Sequence, residues 1–321
     1  MSSAIEETYS SPTSADDEID LIAIVYILWQ GRITIIITTI LVTILSVTLA
    51  ILQPNIYRAS ALLAPSEDNS TSQLAGLAQK FGAFTGNGLG LGKNEISKTS
   101  IALETLVSRK FLTGFVKKHD ILVPLMAAWK WNKGNNTIIY DSDIYDIEAK
   151  KWLVHIKGSP LGTPPSDWLA YERFMEIIAV ASDDKTGFVT ISIEFPVPEL
   201  ARQWVTWLVN DINQHSKSRE IEDARNGIHY LEAELGKTKV VEIRNVLFQL
   251  IQEQIKRGLL AETKREFILE TIDPAVAPEK RVSPRRSLIA VIGTTLGILI
   301  GIFVVFIRRV ISSARNKKRA A

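Results

Sequence analysis

Two charge-free apolar runs, Ile33 to Leu52 and Ser287 to Ile307, constrain what this chain can fold into more than any other feature. Each is about the roughly 20 residues that a helix needs to cross the hydrocarbon core of a bilayer. The stretch between them, 53–286, is polar, mixed and long enough for a folded domain of its own. The pattern predicts an α+β membrane protein: two transmembrane helices flanking one translocated domain tethered to the membrane at two points.

The run at 33–52 is a retained anchor rather than a cleaved leader. Ahead of it stand Glu6, Glu7, Asp16, Asp17, Glu18 and Asp20, with Arg32 as the only base, and the run is longer than a signal core. Residues 21–28 are also apolar, but centring a span there would bury Arg32 at about 2.5–3.5 kcal/mol. Arg32 therefore belongs at the interface. Residues 1–32 are expected to hold a short surface helix with Asp20 as N-cap and Tyr26 and Trp29 at headgroup level. After the second span the tail 308–321 carries Arg308, Arg309, Arg315, Lys317, Lys318 and Arg319 without an acid, which points both termini to the cytoplasm. Lys280, Arg281, Arg285 and Arg286 flank the other end of that span, and anchoring at the interface accounts for either basic cluster equally well.

Between the spans, alternation at Tyr57, Ala59, Ala61 and Leu63 predicts a strand ending at Pro65. The Gly-, Ser- and Asn-rich stretch 69–93 reads as a loop in which Leu74, Leu77, Phe81 and Phe84 suggest a brief amphipathic turn. A helix is expected from Ser97 through Lys117, followed by irregular chain from His119 to Tyr145. Phe188 to Phe195 alternates cleanly and pairs in a hairpin with Ile177 to Ala181 across the turn 183–187. These elements, 53–198 with 266–286, make a small α/β base.

Residues 199–265 read as a long helical arm, about 100 Å if continuous. Leu231, Leu235, Ile243, Leu247, Leu250 and Ile251 form a narrow apolar stripe along it, as does Ile228. Such a stripe needs a partner helix, either the arm itself turning near Gly236 or a neighbouring subunit. Phe267 to Ile272 then returns to the sheet as a strand.

The chain offers little chemistry. The glycine run 86–92 before Lys93 lacks the register and the following hydroxyl residue of a phosphate loop. His119, His155, His215 and His229 are too scattered for a metal motif, and Asp141, Asp143 and Asp146 lack the glycine and distal glutamate of a calcium loop. Asp183 and Asp184 sit where turn chemistry explains them. Trp152 and Trp168 could stack on sugars, whereas Trp204 and Trp207 read as core. With 37 basic and 35 acidic residues no nucleic-acid surface is expected, and the absence of cysteine excludes thiol chemistry and disulfides. No cofactor and no metal are expected. What stands out is Gly293, Gly297 and Gly301, a small-residue face on the second span.

The segment Asp273-Pro274-Ala-Val-Ala-Pro278-Glu-Lys-Arg-Val-Ser-Pro284-Arg-Arg-Ser-Leu288 resembles the proline-rich approach to the second span of Wzz-type chain-length determinants, the polysaccharide co-polymerases of Gram-negative envelopes. Residues 20–32, 185–196, and 230–235 with 242–254 resemble that family's pre-span, sheet and arm segments, so the likeness runs along nearly the whole chain. It implies an inner-membrane protein with a periplasmic base and arm, assembled into a ring, an octamer being one size it suggests. Such a protein is not an enzyme. It would act on lipid-linked polysaccharide with a Wzy-type polymerase to set the modal length of O-antigen or a related glycan. The arm is short beside longer members, and the tail after Ile307 leaves no room for the kinase domain of capsule-export relatives. A competing reading is an adaptor that activates a separately encoded tyrosine kinase.

Overall fold

The computed structural model describes residues 28–66, 97–153, 162–183 and 185–319, without the side chains of 310 and 312–319. The Asp20 cap, Tyr26, the glycine-rich stretch, His155 and Asp184 lie outside the described residues. The chain forms two compact units, 1–53 with 285–321 and 54–284.

The first unit is a helical pair, α1 (Arg32–Leu52) and α8 (Arg286–Arg319). Both are long and apolar enough to cross a membrane, α8 over Arg286–Arg309. They pack against each other, and most of their large apolar side chains face outward, as Ile36, Leu41, Val291 and Phe303 do.

The second unit is built on β1 (Ile56–Pro65), whose inward residues Ala59, Ala61 and Leu63 lie opposite Ile193, Ile191 and Val189 of β7 (Val189–Phe195). β6 (Ile178–Ser182) pairs on the far side of β7. On its other edge β1 takes β8 (Leu269–Asp273) and, nearer its start, β9 (Arg281–Ser283), all pairings being antiparallel. The sheet has one strand more than the four expected, because the proline-rich segment itself supplies β9. Gly187 takes the positive φ of +71° that the 183–187 turn requires.

The helix α6 (Pro198–Lys237) starts with proline at its first turn and crosses β1 and β7. Its first four turns bury Ala201, Trp204, Val205, Leu208, Val209 and Ile212 in the core, so the arm begins well after residue 199. The small Ala59 and Ala61 on β1 leave room for that helix. Trp204 lies 4.5 Å from the Phe195 ring and 6.1 Å from that of Phe174, and is core as expected.

Two stretches differ from the sequence reading. The helix expected over 97–117 is two, α2 (Lys98–Leu106) and α3 (Arg109–Lys118), because Ser108 caps a new start by accepting from Phe111 N, as Ser97 does from Ser100 N. Residues expected to be irregular form α4 (Leu122–Ala127) and the hairpin β2 (Ala128–Asn132) and β3 (Thr137–Tyr140). Its turn is held by Asn132 Oδ1, which accepts from Gly134 N, and by Asn136 at φ +49°. A short pair β4 (Tyr145–Asp146) and β5 (Lys151–Trp152) precedes α5 (Asp167–Ile177), capped by Ser166.

The join between α6 and β8 rests on one side chain. Asn213 is buried, its Nδ2 donating to Leu269 O at 2.9 Å and to Val209 O, its Oδ1 accepting from Ile268 N and Leu269 N at 2.9 and 3.1 Å. Asn213→Leu strands three backbone groups away from water, at roughly 1–3 kcal/mol each before relaxation. A loss of about 2–4 kcal/mol in denaturant unfolding of the detergent-solubilised chain is expected. A loss below about 0.5 kcal/mol would remove Asn213 from this role.

Candidate functional site

Three surfaces carry the features that the sequence singles out: the contact between the spans, the end of the sheet from which both spans depart, and the arm.

The glycines of α8 face α1 of the same chain. A Cβ on Gly297 would stand 2.9 Å from Thr39 Cα, and one on Gly301 2.9 Å from Ile35 Cα, distances that real Cβ contacts do not reach. A Cβ on Gly293 would overlap the Ser46 side chain, and Gly31, which sequence reading passed over, meets Val305 in the same way. Backbones this close let small hydroxyls reach across: Thr43 Oγ1 lies 3.2 Å from Thr294 Oγ1, and Ser46 Oγ donates to Ile289 O at 3.0 Å. The first span of the same chain thus fills this glycine face.

At the sheet end, Ile56 and Tyr57 of β1 pair with Ser283 and Arg281 of β9, and Arg281 Nη1 donates to Asn55 Oδ1 at 3.2 Å. Of the prolines, Pro284 is buried, Pro278 half-buried and Pro274 exposed. Tyr57 meets the Trp131 ring edge-on at 5.8 Å, which ties the β2–β3 hairpin to this end.

The arm is a helical hairpin. After α6 the chain turns at 238–240 into α7 (Val241–Thr263), just past Gly236. Gly227 and Gly258 do not break helices; they admit the neighbour, Gly227 beneath Gln254 and Gly258 beneath Ala224. Glu220, buried on α6, binds Arg257 of α7 with Nη2 at 2.8 Å and Lys98 of α2 at 3.1 Å. Leu231, Leu235, Leu247, Leu250 and Ile251 are half-buried along the pair. Ile243 stays 49% exposed, because it lies in the first turn of α7 opposite the last residues of α6. A second stripe, absent from the sequence reading, lies bare on the opposite face: Val241, Phe248, Ile255 and Leu259 are 64, 46, 45 and 56% exposed. The seven-residue recurrence of the first three was its signal.

None of the weighed catalytic groups gathers into a reacting constellation among the described residues. Asp183 Oδ1 accepts from Lys185 N and Thr186 N, which holds its carboxyl below the usual range and suits a turn rather than a proton donor. Asp141 and Asp146 cap their own loops, accepting from Asp143 N and from Glu148 N and Ala149 N. His119 stacks on Trp207 at 4.2 Å and meets Asp211 Oδ2 at 2.9 Å, while His215 abuts Phe111 and His229 is exposed. Trp152 is buried against Tyr145, and Trp168 is exposed beneath Arg109. No group of metal-ligating side chains occurs among the described residues. A cleft of about 220 Å³ between α2, α6 and α7 is lined by Lys98, Arg257 and Glu220, but that carboxylate is already paired with both cations.

The family model described as "Chain length determinant protein" matches residues 17–119, and that described as "G-rich domain on putative tyrosine kinase" matches 244–310. Together they cover just over half of the chain. No curated protein matches. Among solved structures, a full-length bacterial polysaccharide co-polymerase is 15% identical, over 92% of this chain and 99% of its own, with a TM-score of 0.37. A fragment of WzzB, the polysaccharide co-polymerase from Salmonella Typhimurium, is 12% identical, over 71% and 100%, with a TM-score of 0.28. Those scores are too low to argue from, whereas the first model spans the opening anchor, β1 and the first two helices of the base, and the second the arm's return and the closing anchor. The chain therefore carries a segment similar to chain length determinant proteins over 17–119 and, over 244–310, one similar to a domain described on putative tyrosine kinases.

Proposed function

We infer that this protein is a non-enzymatic regulator that sets the modal length of O-antigen or a related surface glycan together with a Wzy-type polymerase in the bacterial inner membrane. The match of residues 17–119 to the chain length determinant model carries the reading. In it, 53–286 is periplasmic, both termini are cytoplasmic, and lipid-linked polysaccharide is the substrate of the partner. The protein works as a homo-oligomer, a ring held laterally by the arms. What supports the lateral contact is α7, apolar on two opposite faces of which the fold covers one. Anchoring in one membrane aligns the arms of neighbouring copies, which lowers the entropy cost of bringing the bare faces together.

Deleting the gene should leave polymer synthesis active but replace a modal band on the glycan gel with a shorter, unregulated ladder. Restoring the chain with Pro278 and Pro284 replaced by alanine should recover modality less well than restoring it with Asp183→Ala/Asp184→Ala. The prolines fix the backbone where the sheet hands over to the span, whereas Asp183 serves a distant turn. Complete loss of polymer on deletion, or loss of activity in the aspartate variant alone, would replace this reading with an enzymatic one.

A second reading, an adaptor for a separately encoded tyrosine kinase, is favoured by the match over 244–310 to a domain found on such kinases. Its mark would be a tyrosine kinase that loses phosphorylation when residues 308–321 are removed, with polymer length unchanged.

A further inference from the structure

We propose that the β2–β3 hairpin is a membrane-surface foot, with Trp129 and Ile139 entering the headgroup layer and Lys130 and Lys133 meeting the phosphates of anionic phospholipids. The inference rests on reading α1 and α8 as membrane spans.

Chain reach places the hairpin. Tyr57 follows the last residue of α1, Leu52, by five positions, and its partner Arg281 precedes the first residue of α8, Arg286, by five. At no more than about 3.6 Å per residue, Tyr57 stays within roughly 18 Å of the end of the first span and Arg281 within the same distance of the start of the second. Trp131 lies against Tyr57 at 5.8 Å, so the hairpin belongs to the end of the sheet that the chain joins to both spans. A headgroup layer some 5–8 Å deep over the hydrocarbon is within its reach.

The chemistry of the hairpin fits that layer. One face is occupied: Trp131 and Ile138 form a cross-strand pair packed against the core. The other carries the pair Lys130 and Ile139 and the pair Asn132 and Thr137, with Trp129 displaced beside them by a bulge. Trp129 is 44% and Ile139 45% exposed, and the Lys130 ammonium sits 5.9 Å over the Trp129 ring. Residues 128–140 contain two lysines, no carboxylate and five large apolar or aromatic side chains. The first acid beyond, Asp141, turns its carboxylate to its own loop, accepting from Asp143 N. Indole with a nearby ammonium is the pairing that settles at a membrane interface, ring among the acyl carbonyls and charge among the phosphates. A tethered foot gains even from weak contacts, because the spans already hold it at high effective concentration.

The full chain contains no cysteine, so single sites can be labelled cleanly. Thr137→Cys, Ala233→Cys in the arm and Thr295→Cys in the second span would each carry a fluorophore in phosphatidylcholine vesicles with or without phosphatidylglycerol. Quenchers would be lipids spin-labelled near the headgroup or deep in the chain. The label at 137 is expected to be quenched by headgroup-level spin labels, more so with phosphatidylglycerol, while that at 233 is not. Lys130→Gln and Lys133→Gln should each lower the docked-to-free ratio about fivefold. Trp129→Ser should lower it further. No quenching at 137 with normal deep quenching at 295 would overturn the proposal alone. Energy transfer between labels at 137 on different copies, insensitive to lipid, would also overturn it and make the face a subunit contact. Absence of quenching at 295 would remove the span reading and this inference with it.

Discussion

Leucine at Gly297 is expected to force α8 away from α1 far enough that a disulfide between positions 43 and 294 no longer forms. In the native pair the Thr43 and Thr294 hydroxyls are 3.2 Å apart, so Thr43→Cys/Thr294→Cys should crosslink readily under mild oxidation, with no competing thiol in the chain. At Gly297 the nearest atom is Thr39 Cα, and at Gly301 Ile35 Cα stands at 2.9 Å beyond the closer Thr38 hydroxyl, both backbone atoms that no rotamer change can move. Overpacking of that kind costs about 1–3 kcal/mol per site, which predicts crosslinking roughly ten- to a hundredfold slower for Gly297→Leu and slower still for Gly297→Leu/Gly301→Leu. The contrast is Gly236, near the end of α6, where an added Cβ meets nothing within 4 Å. Gly236→Ala should leave the crosslink alone and stabilise the helix by about 0.5–1 kcal/mol. Unchanged crosslinking in both leucine variants would mean that this face does not hold the spans together. Any change of glycan length in these variants acts through the span pair of one chain, since that is where the glycines pack.

The spans were legible because a bilayer imposes a length and a polarity that no other environment asks for over some 20 residues, and α1 begins one residue from the expected start. Strand β7 was legible for a similar reason: strict alternation of Val189, Ile191, Ile193 and Phe195 has one reading. The partner of the glycine face was not, because three small residues in register say that something comes close and nothing about whose chain it belongs to. Nor was the end of the core along α6. Its sequence is amphipathic before and after Asn213, and only the tertiary contact shows that Trp204 and Leu208 meet a sheet while Leu231 and Leu235 meet a helix. Ser108 was readable as a cap in retrospect, yet a serine within an apolar-periodic run is equally an ordinary helix residue. The hairpin at 128–140 was hidden by a bulge between Ala128 and Lys130, which breaks the period of two that marks a strand.

Glutamate at Phe248 and Ile255 is expected to disperse the oligomer and abolish modal length control without unfolding the subunit. At 3.6 residues per turn Val241, Phe248, Ile255 and Leu259 fall within about 40° of one another, directly opposite the Leu250, Arg257 and Ala261 face that α6 covers. A helix with water on that side gains nothing from four apolar side chains; one with a neighbour there gains their burial, about 25 cal/mol for each Å² removed from water. Two carboxylates facing the same stripe on the next copy would each need desolvating beside apolar groups, a cost of several kcal/mol per contact and a shift in subunit association well beyond tenfold. The monomer should tolerate the change, since both side chains are close to half exposed already and Asn213, Glu220 and Ala261 are untouched. Gln249→Glu, one residue along on the polar flank, adds the same charge and serves as the control. The measurements are crosslinking in membranes for the assembly, thermal unfolding for the subunit and the glycan ladder for the function. If Phe248→Glu/Ile255→Glu crosslinks as the native chain does, the stripe is not where copies meet. If it is monomeric yet keeps the modal band, length control does not require the ring.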